Sequence, residues 1–229
     1  MSFSPSSKAR LTTRDLGRFP DDSLFHRIAR AVCEAGCLPR KELYEAWEMA
    51  RRVRRVFRGG RIVDFAAGHG LLAQVLLILD DTSPSALVVD ERLPPSCAKL
   101  HQVLLRQWPR LAGRVIFVTS RIEDVEVRKT DLVVSCHACG ALTDRVLEMA
   151  VCADARVAVL PCCHDGHQSR TGGLTGWMDE ALAVDAVRAL MLDSNGFAVR
   201  TQVIPAEITP KNRLLIADPD PPRRPSTRR

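Results

Sequence analysis

From Arg61 onward, short apolar runs alternate with segments of helical periodicity, and this alternation restricts the fold more than any other feature. RIVDFAAG, SALVVDERL, RVIFVTSRIEDV, TDLVVSCHACG and ARVAVLPCCHD read as strands. HGLLAQVLLILDD, SCAKLHQVLLRQWPRLAG, ALTDRVLEMAVCA and TGWMDEALAVDAVRALMLDSNG read as the helices between and after them, and FAVRTQVIP and NRLLIADP as two closing strands. Such a chain buries its apolar surface by placing helices on the faces of an open α/β sheet. The strand runs are nearly continuous rather than alternating, as expected of parallel strands covered on both faces.

Upstream, Leu24, Phe25, Ile28, Ala29 and Val32 share a helical spacing that Gly36 ends. A second helix begins at Pro39 and runs to Gly59–Gly60, with Leu43, Ala46, Trp47, Ala50, Val53 and Phe57 as its apolar stripe. Its other face carries Arg51, Arg52, Arg54, Arg55 and Arg58, read either as a solvated surface or, through Arg51 and Arg55, as a phosphate-facing patch. The expected organisation is a flexible segment over 1–22, a helical segment over 23–58, the sheet domain over 59–218 and a basic disordered tail over 219–229. The start is polar, without the apolar core of a signal peptide, and LLAQVLLIL is too short to cross a bilayer. A cytoplasmic protein without membrane contact is therefore expected, and its eight cysteines are read as free thiols or ligands rather than a disulfide framework.

The first strand runs into Gly68 and Gly70 just before a helix, where backbone must approach a ligand closely. The full dinucleotide fingerprint GxGxxG is absent, which favours a nucleoside ligand without a pyrophosphate. Asp90 ends the second strand about twenty residues later, where an acid accepts hydrogen bonds from ribose hydroxyls, and Glu91 is the alternate. Asp64 is placed to orient the turn or meet an amino group, His69 sits within it, and Glu123 and Asp124 follow the third strand, where a base edge would lie.

Two Cys/His clusters follow the fourth and fifth strands: Cys136, His137 and Cys139, then Cys162, Cys163 and His164, with His167 beyond. Strand adjacency would bring them to one crevice. Three roles compete there. Thiolate and imidazole suit zinc, yet C-H-x-C and C-C-H form no standard ligand spacing. CHAC has a redox spacing without a thioredoxin-like context. The favoured reading assigns no metal. His137 and His164 become candidate proton acceptors, Cys136 a donor-pocket wall, and Cys139, Cys162 and Cys163 a substrate-pocket wall.

IVDFAAGHGLLAQVL resembles the first motif of class I S-adenosylmethionine-dependent methyltransferases. DLVVSCHACGALTDRVLEMA with VLPCCHD resembles the subfamily that holds the tRNA 2′-O-methyltransferases of the Trm13 type and the methyltransferase-like 25 proteins; the resemblance spans roughly 41–217. It implies a Rossmann-like, mostly parallel seven-stranded sheet with a reversed final strand. It also implies S-adenosyl-L-methionine over the first two strand ends, held by Asp64, Gly68, Gly70 and Asp90, with Glu123 and Asp124 beside adenine. The expected activity is methyl transfer to an oxygen or nitrogen, with RNA as the leading acceptor class and a small molecule as the other. The zinc fingers of the eukaryotic tRNA enzymes are not visible, and NPPY is absent after the fourth strand. The rival reading is a non-enzymatic nucleoside-, zinc- or RNA-binding protein on the same scaffold.

Overall fold

A computed structural model describes residues 3–164, 166 and 168–219. Seven strands form one sheet: β1 (Ile62–Phe65), β2 (Ala86–Asp90), β3 (Val115–Thr119), β4 (Leu132–Ser135), β5 (Arg156–Val159), β6 (Phe197–Val203) and β7 (Arg213–Pro219), in the order β3-β2-β1-β4-β5-β7-β6. β1 to β5 pair in parallel, while β7 runs antiparallel to both β5 and β6. The expected Rossmann-like sheet with a reversed final strand is thus the observed one. The strand order reverses at β1, between β2 and β4, and the carboxyl ends beside that point form the crevice where α/β sheets take ligands.

The central strands β1 and β4 are buried at every position, whereas Ile116 on edge strand β3 is half exposed. On one face lie α1 (Leu24–Ala35), α2 (Arg40–Val56), α3 (Leu71–Leu79) and α4 (Cys97–Gln107). Helix α3 is buried from Leu71 to Ile78, as its all-round apolar sequence requires. It lies between the sheet and α2, so the upstream helices form a further layer over the domain. On the other face, α5 (Ala141–Cys152) and α6 (Glu180–Ser194) cover a second core.

Residues 3–22, expected to be flexible, are packed instead. Leu11 and Phe19 are buried, Leu11 N–H donates to the Leu38 carbonyl (3.0 Å) and Arg40 N–H to the Ala9 carbonyl (3.0 Å). Phe3 meets Phe19 edge-on and carries the Arg40 guanidinium on its face. Widely spaced apolar residues show no periodicity, so the sequence pattern missed a strap that fills a groove on α1 and α2. Of the tail expected over 219–229, Pro219 instead ends β7, and 220–229 lie outside the described residues.

The arginines of α2 also differ from the expected patch. Arg51 and Arg52 both pair with Glu48. Arg54 is buried on Asp80 (3.1 Å), Ser83 (2.9 Å) and the Leu76 carbonyl, and Arg58 reaches the Leu79 carbonyl. Arg55 alone among the five is exposed without a partner among the described residues. Arg54 and Arg58 fasten α2 to α3 and the turn after it, while Arg51 and Arg52 pair within α2.

Candidate active site

Residues 66–70 form the turn between β1 and α3. Ala66, Gly68 and Gly70 all have positive φ (50°, 53° and 69°). Gly70 also lies against β2, where an added Cβ would meet Val88 at 2.7 and 2.9 Å, so no larger residue fits the present backbone. Two acids fasten the turn. Asp90 accepts from Gly68 N–H (2.9 Å) and from Arg92 N–H (2.9 Å), and Asp64 accepts from Ala73 N–H (3.2 Å). Asp64 is 1% exposed, and burial, helped by the Asp90 charge, pushes its carboxyl up to about 8. His69 Nε2 bonds the Ser96 hydroxyl (2.8 Å).

The β4 turn is held by Ser135, whose hydroxyl donates to the Phe65 carbonyl (2.7 Å) and accepts from Ala138 N–H (3.2 Å). This places Cys136 and His137 beside the glycine turn. A small recess there is lined by Ala67, His69, Leu72, Cys136, His137 and Glu42. A crevice of about 590 Å³ shares Glu42 and His137 with it and adds Lys8, Lys41, Glu45, Cys162, Cys163 and Lys211. Recess and crevice therefore adjoin at Glu42 and His137.

Sequence reading missed Lys41, Glu42 and Glu45. On α2 they look like an ordinary charged helix face, yet that face meets the crevice rather than solvent. Glu45 is 3% exposed; its Oε1 pairs with Lys41 (3.2 Å), and Oε2 has no hydrogen-bond partner among the described residues. Ligand atoms of Glu45, Cys136 and His137 lie within 4.8 Å of one another. Burial, then the Glu45 charge, pushes the Glu42 carboxyl up to about 7, against the opposing pull of Lys41. Burial also raises Glu45, and burial with Lys41 pushes His137 down to about 4. All three groups are driven toward their neutral forms.

Other expected residues fall elsewhere. His164 does not line the crevice: its side chain is 3% exposed and Nε2 bonds Asp185 (2.8 Å). Asp185 also holds Arg213 (2.7 Å) and Arg188 (3.3 Å), and Arg188 makes a two-armed pair with Asp144 and reaches the Gly140 carbonyl. The Cys162–Cys163–His164 segment is thereby tied to α6, β7 and the start of α5. Glu91, Glu123 and Asp124 are exposed, and Glu123 lies between Arg121 (3.6 Å) and Arg145 (3.9 Å). Arg51 and Arg55 are not among the crevice residues, and His167 lies outside the described residues. Cys139 comes to 2.9 Å from Cys162, sulfur to sulfur.

A family described as a methyltransferase domain matches residues 41–170. The chain belongs to this methyltransferase family. Its match begins inside α2, the helix that brings Glu42 and Glu45 to the crevice. Two curated relatives, glutathione S-transferase C-terminal domain-containing protein homologs of Drosophila pseudoobscura pseudoobscura and Drosophila melanogaster, are each 27% identical over 198 residues. These matches cover 69% of this methyltransferase and 33% of each relative, so the chain spans about a third of their length. Among solved structures, an O-methyltransferase family protein from Burkholderia thailandensis aligns with TM-score 0.53 and 16% identity, over 96% of this chain and 66% of that one. Ribosomal protein L11 methylase from Lactobacillus delbrueckii subsp. bulgaricus aligns with TM-score 0.50 and 14% identity, over 77% of each chain. These likenesses show the class I methyltransferase fold.

The class I methyltransferase fold implies S-adenosyl-L-methionine as the ligand of the glycine turn, and the residues present fit it. The turn is kept free of side chains at Gly70, and the buried Asp64 carboxyl is short of positive charge, which the ammonium of the donor's amino-acid end would supply. No helix of the described residues is long and apolar enough to cross a membrane.

Proposed function

We propose that the chain methylates an oxygen or nitrogen of RNA, as a member of the subfamily that holds the Trm13-type and methyltransferase-like 25 proteins. The carrying observation is the lysine-rimmed crevice that adjoins the recess beside the glycine turn, with Glu42 and His137 lining both. S-adenosylmethionine supplies an electrophilic methyl group when bound. The rest falls to the chain: Asp64, Gly68, His69, Gly70 and Asp90 hold the donor with Cys136 as a wall, and Glu91, Glu123 and Asp124 border the adenine. Catalysis then requires the acceptor atom to be aligned and relieved of its proton.

Glu42 takes that proton. It lines both the recess and the crevice, and its carboxyl titrates near neutrality. His137, uncharged at neutral pH, orients the acceptor by hydrogen bonding, and Cys162 and Cys163 form the opposite wall. Lys8, Lys41 and Lys211 supply charge at the crevice for a phosphate backbone, and the net charge of +6 favours a polyanion. The upstream helices belong to the catalytic unit in this reading, because α2 carries the base.

The test is transfer of radiolabelled methyl from donor to total tRNA, ribosomal RNA, peptides and small catechols, followed by digestion and mass spectrometry of the nucleosides. A 2′-O-methyl or base-methyl nucleoside that depends on Glu42 supports the proposal. Product only from peptides or small molecules refutes the RNA acceptor. Donor binding without product from any class supports the non-enzymatic rival.

A further inference from the structure

The thiols of Cys139, Cys162 and Cys163 have no part in proton removal, yet two separate loops bring them together. Cys139 comes from the turn after β4, and Cys162 and Cys163 from the segment after β5. The three sulfurs all lie within 4.8 Å of one another; Cys139 and Cys162 are 2.9 Å apart, and Cys162 and Cys163 3.8 Å. The loops are joined by backbone as well, since Gly140 N–H donates to the Cys163 carbonyl (3.3 Å). Behind them the Asp185–Arg188–Asp144 network anchors both loops to α6. Neutral thiols are weak hydrogen-bonding groups and give little reason for three to converge.

We propose that Cys139, Cys162 and Cys163 bind one zinc ion as three thiolates, with the fourth coordination position open toward the crevice. Zinc takes thiolates tetrahedrally at about 2.3 Å, which sets sulfur pairs about 3.8 Å apart. The Cys162–Cys163 pair already has that separation. The Cys139–Cys162 pair, at 2.9 Å, must open by about 0.9 Å to reach the same edge length, and the exposed Cys139 side chain is free to turn outward. Each thiol gives its proton to solvent as its metal–sulfur bond forms, so no oxidant or reductant enters. The resulting site carries one net negative charge, and Lys211 lines the same crevice as Cys162 and Cys163. Cys139 and Cys163 are exposed, which gives the ion a way in. Cys162 and Cys163 line the crevice, so the open position is presented to whatever enters it. The site does not rest on the RNA reading or on turnover.

The test uses the full chain, purified with reductant, loaded with zinc and desalted. Native mass spectrometry and elemental analysis should find one zinc per chain. Cys139→Ser, Cys162→Ser and Cys163→Ser should each lose it, while Cys152→Ser, on an exposed thiol about 17 Å along α5, should retain it. A serine variant that misfolds would mimic this loss, so a second readout uses the wild type alone. Zinc should protect the three thiols from alkylation and leave Cys152 reactive, and a chelator should reverse the protection. The proposal is overturned by a folded, reduced wild type that takes no zinc, or by zinc that persists in all three serine variants. A Cys139–Cys162 disulfide in protein isolated with its thiols trapped would also overturn it. None of these readouts uses methyl transfer, so failure of the enzymatic reading leaves them interpretable.

Discussion

Replacing Asp64 with asparagine should make the protein more stable and a poorer donor binder at once. Burial holds the folded-state pKa of Asp64 at about 8, against a reference of 3.8. Between those values the folded chain keeps a proton that the unfolded chain has released. The stability this group lends is complete below pH 3.8 and declines by about 1.4 kcal/mol per pH unit until about 8. At pH 7 the span is 3.2 units, or about 4 kcal/mol, and at pH 5 it is 1.2 units, or about 2 kcal/mol. Asparagine does not titrate, and its carbonyl can still accept from Ala73 N–H. The variant should therefore gain on the wild type steadily as pH rises. Urea unfolding, followed by the fluorescence of the three tryptophans at pH 5, 6, 7 and 8, measures the difference directly. Isothermal titration with S-adenosylmethionine in buffers of different ionisation heat gives the second half. Wild type should release up to about 0.9 proton on binding at pH 7, since Asp64 ionises against the donor's ammonium, and the variant none. A variant no more stable at pH 7, or a difference that does not widen with pH, would refute the reasoning.

Three further outcomes are expected. Gly70→Ala places a Cβ 2.7 Å from Val88 at a φ of +69°, so it should cost about 2–5 kcal/mol. Thermal unfolding of the Gly70→Ala, Val88→Ala pair should show coupling above about 1 kcal/mol, and simple additivity would sink this account. Glu42→Gln should lower kcat by about 100-fold or more and remove a rise in rate centred near pH 7; unaltered pH dependence would remove Glu42 as the base. Lys8, Lys41, Glu45, His137 and Lys211 border the same crevice, so the Lys41→Met profile should be measured alongside, with its midpoint expected to move up. Arg188→Ala should cost about 3–5 kcal/mol in urea unfolding, because it strands Asp144 and Asp185, and a loss below 1 kcal/mol would show that the network is dispensable.

The sheet was legible because its physics is local. IVDF and LVVS can lie only on strands covered from both sides, and the Gly68–His69–Gly70 turn follows the first of them at once. The meeting of the two Cys/His clusters followed from β4 pairing with β5. What a cluster does with each side chain was not legible. One position along the segment after β5 separates Cys163, on the crevice, from His164, turned to Asp185. The partners that decide this, Asp185 and Arg213, lie 21 and 49 residues further along the chain (164 to 185, 164 to 213). The charged face of α2 posed the same problem on a larger scale. Periodicity identifies which residues share a face but not whether water or another layer lies against it, so Arg54, read as part of a solvated or phosphate-facing face, is buried, and so is Glu45, which drew no reading.

The buried titratable groups of the crevice and of β1 beside the glycine turn share one direction. Asp64, Glu42 and Glu45 are pushed up and His137 down, each chiefly by burial, so the protein holds four titratable groups near their uncharged forms, Asp64 within β1 and the other three at the crevice. Such groups destabilise the fold at neutral pH, and a chain selected for stability alone would replace them with apolar residues. Their retention has a physical use if the ligand is cationic at one end and releases a proton at the other. A cation drawn to Asp64 converts an unfavourable burial into an ion pair, and a carboxyl near neutrality at Glu42 can take a proton and return it to solvent at similar pH. Asp64 lies in β1, which leads into the glycine turn, and Glu42 lines both the recess beside that turn and the crevice. On the proposed reading helix α2 serves chemistry as well as covering α3: it brings the Glu42 and Glu45 carboxyls to the crevice beside the glycine turn.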